Sequence, residues 1–191
     1  MAKEKKHPFS SFMIVVLVCA ILFFGYQIAS DIVLEKLYPK KYSEYVEKYA
    51  TEYEIDEYLL YSVIRTESGF DYLAVSNVGA RGLTQITEDT FEWLLTKTDD
   101  DYEFDDLFEP EISIKYSALF LSILQNEYGV TETVIAAYHA GMGNVSSWLN
   151  DSRYSTDGQH LKTTPISDTN HYISKVISAM DNYYKIYESG K

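Results

Sequence analysis

Residues Phe9 to Ala29 form a run of 21 residues without one charged side chain. A helix of that length covers about 30 Å, the thickness of a bilayer's hydrocarbon core. This run divides the chain into a segment suited to lipid and a remainder that must fold in water. Ahead of it, Lys3, Lys5 and Lys6 stand against Glu4, the charged start shared by signal peptides and signal anchors. Cleavage after Ala29 would put Gln27 where a small residue is normally required, and the run exceeds a signal-peptide core. An uncleaved anchor is therefore expected. A lipoprotein reading of Cys19 is disfavoured by the large Val18 before it and by the apolar residues that follow. Lys36, Lys40 and Lys41 beyond the run nearly match the lysines before it, so charge does not set the orientation. The expected organisation is a basic tail over 1–8, a transmembrane anchor over 9–29, a helical stalk over 30–48 and a globular domain over 49–191.

Setting aside the three lysines and one glutamate before residue 30, 13 basic and 28 acidic residues remain, a charge of −15. Such a domain has no basic stripe with which to neutralise phosphates, which argues against a nucleic-acid partner. One cysteine excludes an internal disulfide and a paired-thiolate zinc site. The four histidines show no H-E-x-x-H spacing, and Ser68 lacks a G-x-S-x-G elbow. No metal and no cofactor are expected.

The hydrophobic pattern is helical throughout, and an all-α domain is predicted. Tyr38, Tyr42, Tyr45, Tyr49 and Tyr53 recur every three or four residues and mark one face of a helix between Asp31 and Glu54. A second helix is expected from about Asp56 to Ser68, stopped by Gly69. Thr87 caps a short helix ending near Leu95. Ile112 to Leu124 carries a strong apolar stripe that Gly129 ends, and three more helices cover about 132–140, 144–149 and 171–187. Six acids within Thr98–Asp106 read as a flexible, solvated loop. A calcium loop there is disfavoured, because Phe104 and Pro110 occupy the positions that need glycine and glutamate.

Within the second helix, Glu67 lies four residues after Val63, three after Ile64 and eight after Leu59, on the helix's apolar face. An inward carboxyl is harder to ionise than one in water. It could supply a proton near neutral pH, with Asp71 and Glu88 as the next candidates for that role.

Four strings follow in order over about 105 residues: Glu67-Ser68-Gly69-Phe70, Gly79-Ala80-Arg81-Gly82-Leu83-Thr84-Gln85, Ala137-Tyr138-His139-Ala140-Gly141 and Asp168-Thr169-Asn170-His171-Tyr172. Together they resemble the soluble lytic murein transglycosylase family, whose SLT domain has a goose-type-lysozyme-like helical fold and cuts peptidoglycan. The resemblance covers about Tyr49 to Tyr187. It implies that 49–191 is a catalytic domain, and with the anchor expected from Phe9 to Ala29 the protein is expected to be membrane-anchored and to face the cell wall. By the same resemblance Glu67 is the single acid, and Tyr172 hydrogen-bonds and orients it. Ser68 and Gln85 shape the cleft, and Tyr138 and His139 line the sugar sites.

The implied reaction breaks the β-1,4 bond between N-acetylmuramic acid and N-acetylglucosamine and leaves a 1,6-anhydromuramoyl end. Two other readings share the strings: a hydrolase on the same fold, and a non-catalytic wall-binding or scaffold protein of an envelope-spanning machine. Thr84, His139 and Asp168 stand where the family usually has Met, Asn and Glu. Thr84 is expected to give the cleft a smaller, partly polar wall.

Overall fold

Local signals start or stop several of the helices, and packing fixes the rest. In the computed structural model, residues 8 to 188 are described; the basic tail expected over 1–8 therefore lies, but for Pro8, outside them. The chain divides into two units at Pro39/Lys40. The first is a single helix, α1 (Pro8–Leu37), whose stretch Phe12–Leu37 is long and apolar enough to cross a membrane. Pro39 lacks an amide hydrogen, and the residue before a proline is pushed out of the helical region, so α1 stops at Leu37.

The expected continuous tyrosine helix is thus divided. Its second part is α2 (Ser43–Glu52), entered through Tyr42 in a left-handed conformation (φ 59°). Tyr49 on this helix is buried, whereas Tyr42, Tyr45 and Tyr53 keep partial exposure.

The second unit is all helical, and its described residues form only isolated β-bridges. α3 (Glu57–Glu67) is capped by Asp56, whose Oδ1 accepts from the amides of Tyr58 (2.7 Å) and Leu59 (3.3 Å). α4 (Glu88–Leu95) follows Thr87. α5 (Pro110–Tyr128) begins with proline at its first position and ends at Gly129, whose φ of 70° a side chain would resist. α6 (Thr131–Ala140) and α7 (Met142–Leu149) follow, and α8 (Ser167–Tyr187) closes the domain.

α8 packs on α3 and α6, α5 on α6, and α2 on both α5 and α3. The centre is Leu60, Val63 and Ile64 of α3 with Leu121 and Leu124 of α5, Val134 and Ile135 of α6 and Val176 of α8, all fully buried. Each such side chain contributes about 1.5–3 kcal/mol through burial. Truncating Leu60 to alanine would cost about 2–5 kcal/mol, because a cavity is left in a close-packed interior.

Two expectations are corrected here. The acidic segment 98–106 is not a loose loop. Asp100 accepts from Lys115 Nζ (2.6 Å) and from the Tyr116 hydroxyl (2.9 Å). Glu103 and Asp106 cap each other's backbone at the start of a 3₁₀ turn, Phe104–Phe108, that buries Leu107. The segment is ordered because α5 reaches Asp100, Arg81 reaches Asp105 (2.6 Å), and Glu103 and Asp106 hold each other. The last helix starts a turn earlier than His171, since the Asn170 side chain bonds both the amide (2.8 Å) and the carbonyl (3.0 Å) of Thr164 and ties the preceding strap to α8.

Candidate active site

Glu67 is the final residue of α3, so its side chain leaves the helix where the chain must turn away. The turn uses two successive left-handed residues, Gly69 (φ 61°) and Phe70 (φ 69°). Glycine adopts this conformation freely, but a bulky residue does so at a cost that its surroundings must offset. Burial of the Phe70 ring supplies that offset. The Ser68 hydroxyl donates to the Leu83 carbonyl (2.8 Å), fastening the end of α3 to the loop that returns past it.

That loop, 71–86, is folded by short polar contacts. Asp71 accepts from the Leu73 amide (3.0 Å), and Ser76 Oγ accepts from the Ala80 amide (3.0 Å). Gln85, at φ 51°, donates from Nε2 to the carbonyls of Ala74 (3.0 Å) and Gly82 (2.9 Å). Gly82 is a position only glycine can fill: an added Cβ would fall 1.9 Å from the Leu107 carbonyl oxygen.

The loop, α4, α5 and α6 together enclose a cavity of about 310 Å³. Glu67, Gln85, Tyr138 and His139 line it, with Ser76, Val78, Thr87, Thr90 and Phe120 around them. Among the described residues, Glu67 is the one carboxylate in this lining. Tyr172 Oη donates to Glu67 Oε1 at 2.6 Å from behind the cavity, and Tyr172 is itself buried. Burial pushes the partly buried Glu67 carboxyl up to about 7, against the opposing pull of the Tyr172 hydrogen bond, which favours the ionised form.

Tyr138 donates to the Thr84 carbonyl (2.9 Å) and engages Ser117 Oγ (3.1 Å); burial and the neighbouring Glu67 raise its hydroxyl pKa. His139 stacks on Tyr172 with ring centroids 4.4 Å apart and holds Thr169 Oγ1 through Nδ1 (3.2 Å). Desolvation lowers its pKa, with Asp168 pulling the other way.

The structure brings Glu67, Gln85, Tyr138 and His139 to one cavity and sets Tyr172 against the carboxyl. Ser68 is turned to Leu83 rather than into the lining. Thr84 requires correction: it is fully buried, with its hydroxyl on Ser113 Oγ (3.0 Å) and the Ser113 carbonyl (3.2 Å), and it forms no wall of the cavity. Asp168 lies exposed in the first turn of α8.

Sequence reasoning misses Phe120, Ser76, Val78, Thr87 and Thr90 as lining residues. Phe120 carries no signal beyond its place in an apolar stripe, although its ring packs on Tyr138 at 5.1 Å.

A hydrogen-bonded, hard-to-ionise carboxyl above a sugar-sized cavity in a helical domain defines a class of glycan-cleaving folds. The chain belongs to the transglycosylase SLT domain family, whose profile matches residues 44–161. It is 30% identical over 160 residues to the soluble lytic murein transglycosylase of Salmonella typhimurium, covering 80% of this chain and 24% of that protein. It is 32% identical over 172 residues to the membrane-bound lytic murein transglycosylase C of Serratia proteamaculans, covering 75% and 46%.

Among solved structures, an inactive variant of the lytic transglycosylase Slt from Pseudomonas aeruginosa matches with a TM-score of 0.73 at 25% identity, over 82% of this chain and 26% of that one. The 70-kDa soluble lytic transglycosylase of Escherichia coli gives 0.71 at 25% identity, over 80% and 25%. The chain thus spans about a quarter of its soluble relatives and just under half of the membrane-bound one.

Proposed function

We propose that the protein is a membrane-anchored lytic transglycosylase that cuts peptidoglycan between N-acetylmuramic acid and N-acetylglucosamine and leaves a 1,6-anhydromuramoyl end. The observation that carries this reading is the Glu67 carboxyl, held by Tyr172, shifted to about 7 by burial and without a second carboxylate in the cavity lining. A group with that pKa is protonated often enough at neutral pH to act as an acid and ionises readily enough to act afterwards as a base.

In the proposed reaction, the Glu67 proton passes to the glycosidic oxygen as its bond to the muramoyl C1 breaks. N-acetylglucosamine then leaves with a free C4 hydroxyl. The substrate's acetamido group stabilises the electron-poor C1. Glu67, now a carboxylate, takes the proton of the muramoyl C6 hydroxyl as O6 bonds to C1. The acid is regenerated and no water is consumed. The attacking hydroxyl belongs to the reacting sugar, so its effective concentration far exceeds that of an intermolecular nucleophile. Gln85, Tyr138 and His139 shape and line the sugar sites, Ser68 holds the loop that carries Gln85, and Tyr172 positions the acid. The wall glycan is the partner, and the proposed chemistry uses no cofactor and no metal.

In this reading the stretch of α1 over about 9–29 is a single-pass anchor, the stalk expected over 30–48 shortens to the end of α1 and the link before Lys40, and the catalytic domain, which includes α2 as well as 49–191, faces the wall. The apolar length of α1 and the membrane-bound relative support the anchor. Protease access to the domain on intact cells and on protoplasts tests its side.

Mass spectrometry of fragments released from purified sacculi tests the chemistry. Anhydro-ended products, each lighter by one water than the hydrolytic product, are expected with a chelator present. Predominantly reducing ends would reject transglycosylation in favour of hydrolysis. No release at all would favour a wall-binding protein without catalysis.

A further inference from the structure

A second cavity, of about 520 Å³, lies between α2, Tyr102 and the start of α5, and shares no lining residue with the Glu67 cavity. Its walls include Tyr42, Tyr45, Tyr49 and Tyr102, with Glu111 and Lys115. We propose that this cavity is a second saccharide-binding site, which holds a pyranose unit of a wall glycan outside the cleft; it rests on the glycan substrate proposed for the Glu67 site.

The volume falls within the range of small-ligand pockets, which are largely aromatic with a few placed polar groups. Tyr49 is buried and supports the wall: Lys48 covers its ring at 4.5 Å, and Tyr53 stacks on it at 6.3 Å. Tyr42, Tyr45 and Tyr102 keep partial exposure, so aromatic surface remains for the C–H face of a sugar ring.

Two of the charged residues in the lining, Glu111 and Lys115, are already paired. Lys48 Nζ and the Tyr49 hydroxyl both bond Glu111 Oε1, at 2.8 and 2.9 Å, and Lys115 bonds Asp100 at 2.6 Å. A charged ligand would have to compete with these pairs. A neutral sugar leaves them intact, since its hydroxyls can donate to Glu111 Oε2 and to the exposed Glu109 at the rim. Tyr42 reaches the cavity from a left-handed backbone, a conformation costly for an aromatic residue and characteristic of binding sites when it persists.

Both cavities touch α5. Lys115 lines one and Phe120 the other, about 7.5 Å apart along the helix axis. The five-residue separation also turns them about 140° around the helix, so the second site opens on a different face of α5 from the cleft.

The test uses the full-length chain with Glu67→Gln in detergent, which keeps the glycan uncut, and a chitotriose bearing a photoreactive diazirine. After irradiation, labelled peptides are mapped by mass spectrometry. Label is expected on 42–49 or 102–115 as well as on 76–90, and excess unlabelled chitotetraose should compete it away. Tyr102→Ala and Tyr45→Ala should each reduce the label at the second cavity by about tenfold while label at 76–90 persists, which also reports a folded protein. Absence of competable label on 42–49 and 102–115 overturns the inference whatever the cleft does, as does label there that survives both tyrosine substitutions. The function proposed for Glu67 fails separately, through the product assay on the unsubstituted protein.

Discussion

The Tyr172 hydroxyl donates to Glu67 Oε1 at 2.6 Å although the two residues lie 105 positions apart. The bond joins the end of α3 to the first turns of α8, two helices that pack directly on each other. It opposes the rise that burial imposes on the carboxyl, since a hydroxyl donating to a carboxylate favours the charged form.

A pH profile follows from that balance. The proposed reaction needs protonated Glu67, so kcat/KM should fall as pH rises through about 7. Tyr172→Phe removes the interaction favouring the carboxylate, and the falling limb should move to higher pH while the proposed anhydro product stays the same. Initial rates on a soluble labelled glycan between about pH 5 and 9 would show this. An unmoved limb would mean that Tyr172 does not act on the acid. His139→Asn should leave the limb in place, because burial and the Tyr172 hydrogen bond, rather than the imidazole, set the Glu67 shift.

Glu67→Gln should abolish nearly all lytic activity, a loss of about 10²–10⁴ from acid catalysis alone. The same substitution should stabilise the protein at alkaline pH. The folded-state pKa lies above the unfolded value of 4.5, so the folded protein binds more protons between about 4.5 and 7, and its stability falls across that window as pH rises. A rise from 4.5 to about 7 corresponds to roughly 3 kcal/mol. The amide carries no such penalty. Thermal unfolding should therefore show the variant above the parent at pH 8 and near it at pH 4, and equal midpoints at both would refute the buried-carboxyl assignment.

Gly82→Ala should fail to fold stably. Its Cβ would sit 1.9 Å from a backbone oxygen of Leu107 at a φ of +74°, and neither partner is the movable end of a side chain. A loss of about 4 kcal/mol or more is expected, large even among core substitutions. Gly79→Ala, at a similar φ but with open space around it, should cost only about 1 kcal/mol. Comparing their denaturation midpoints checks the claim.

The parts of this fold legible in the sequence are those written locally. Asp56 caps α3, Gly69 and Gly129 stop their helices, and the Val63, Ile64, Glu67 spacing puts the acid on an inward face. What sequence hides depends on partners far along the chain. Asp100 is ordered by Lys115 and Tyr116, which pattern alone places on another helix, and so the acidic segment looks solvated. Phe120 reads as core because a wall of a cavity and a core position have the same periodicity. The tyrosine stripe conceals the stop at Pro39 because a helical spacing persists across the break.

Thr84 is the sharpest case of a residue whose role depends on its partner. Its position in the Gly79–Gln85 string suggests a cleft wall, yet its hydroxyl is fully buried against Ser113, 29 residues away. Thr84→Met would push a longer side chain into a closed space and take a hydrogen-bond partner from the buried Ser113 hydroxyl. Overpacking of this kind costs about 1–3 kcal/mol. Ser113→Ala alone leaves the Thr84 hydroxyl its bond to the Ser113 carbonyl but takes the acceptor from the Thr84 amide, at about 1–3 kcal/mol, whereas in the double variant the Ser113 hydroxyl is no longer there to lose its partner and a little volume is freed for the longer side chain. The double variant should thus lose less than the sum of the singles, with a coupling of about 0.5–3 kcal/mol measured by denaturant unfolding. Because Thr84 lines no part of the cavity, KM on a soluble glycan should stay unchanged in whichever variants fold. Additive losses, or a raised KM at full stability, would return Thr84 to the cleft wall.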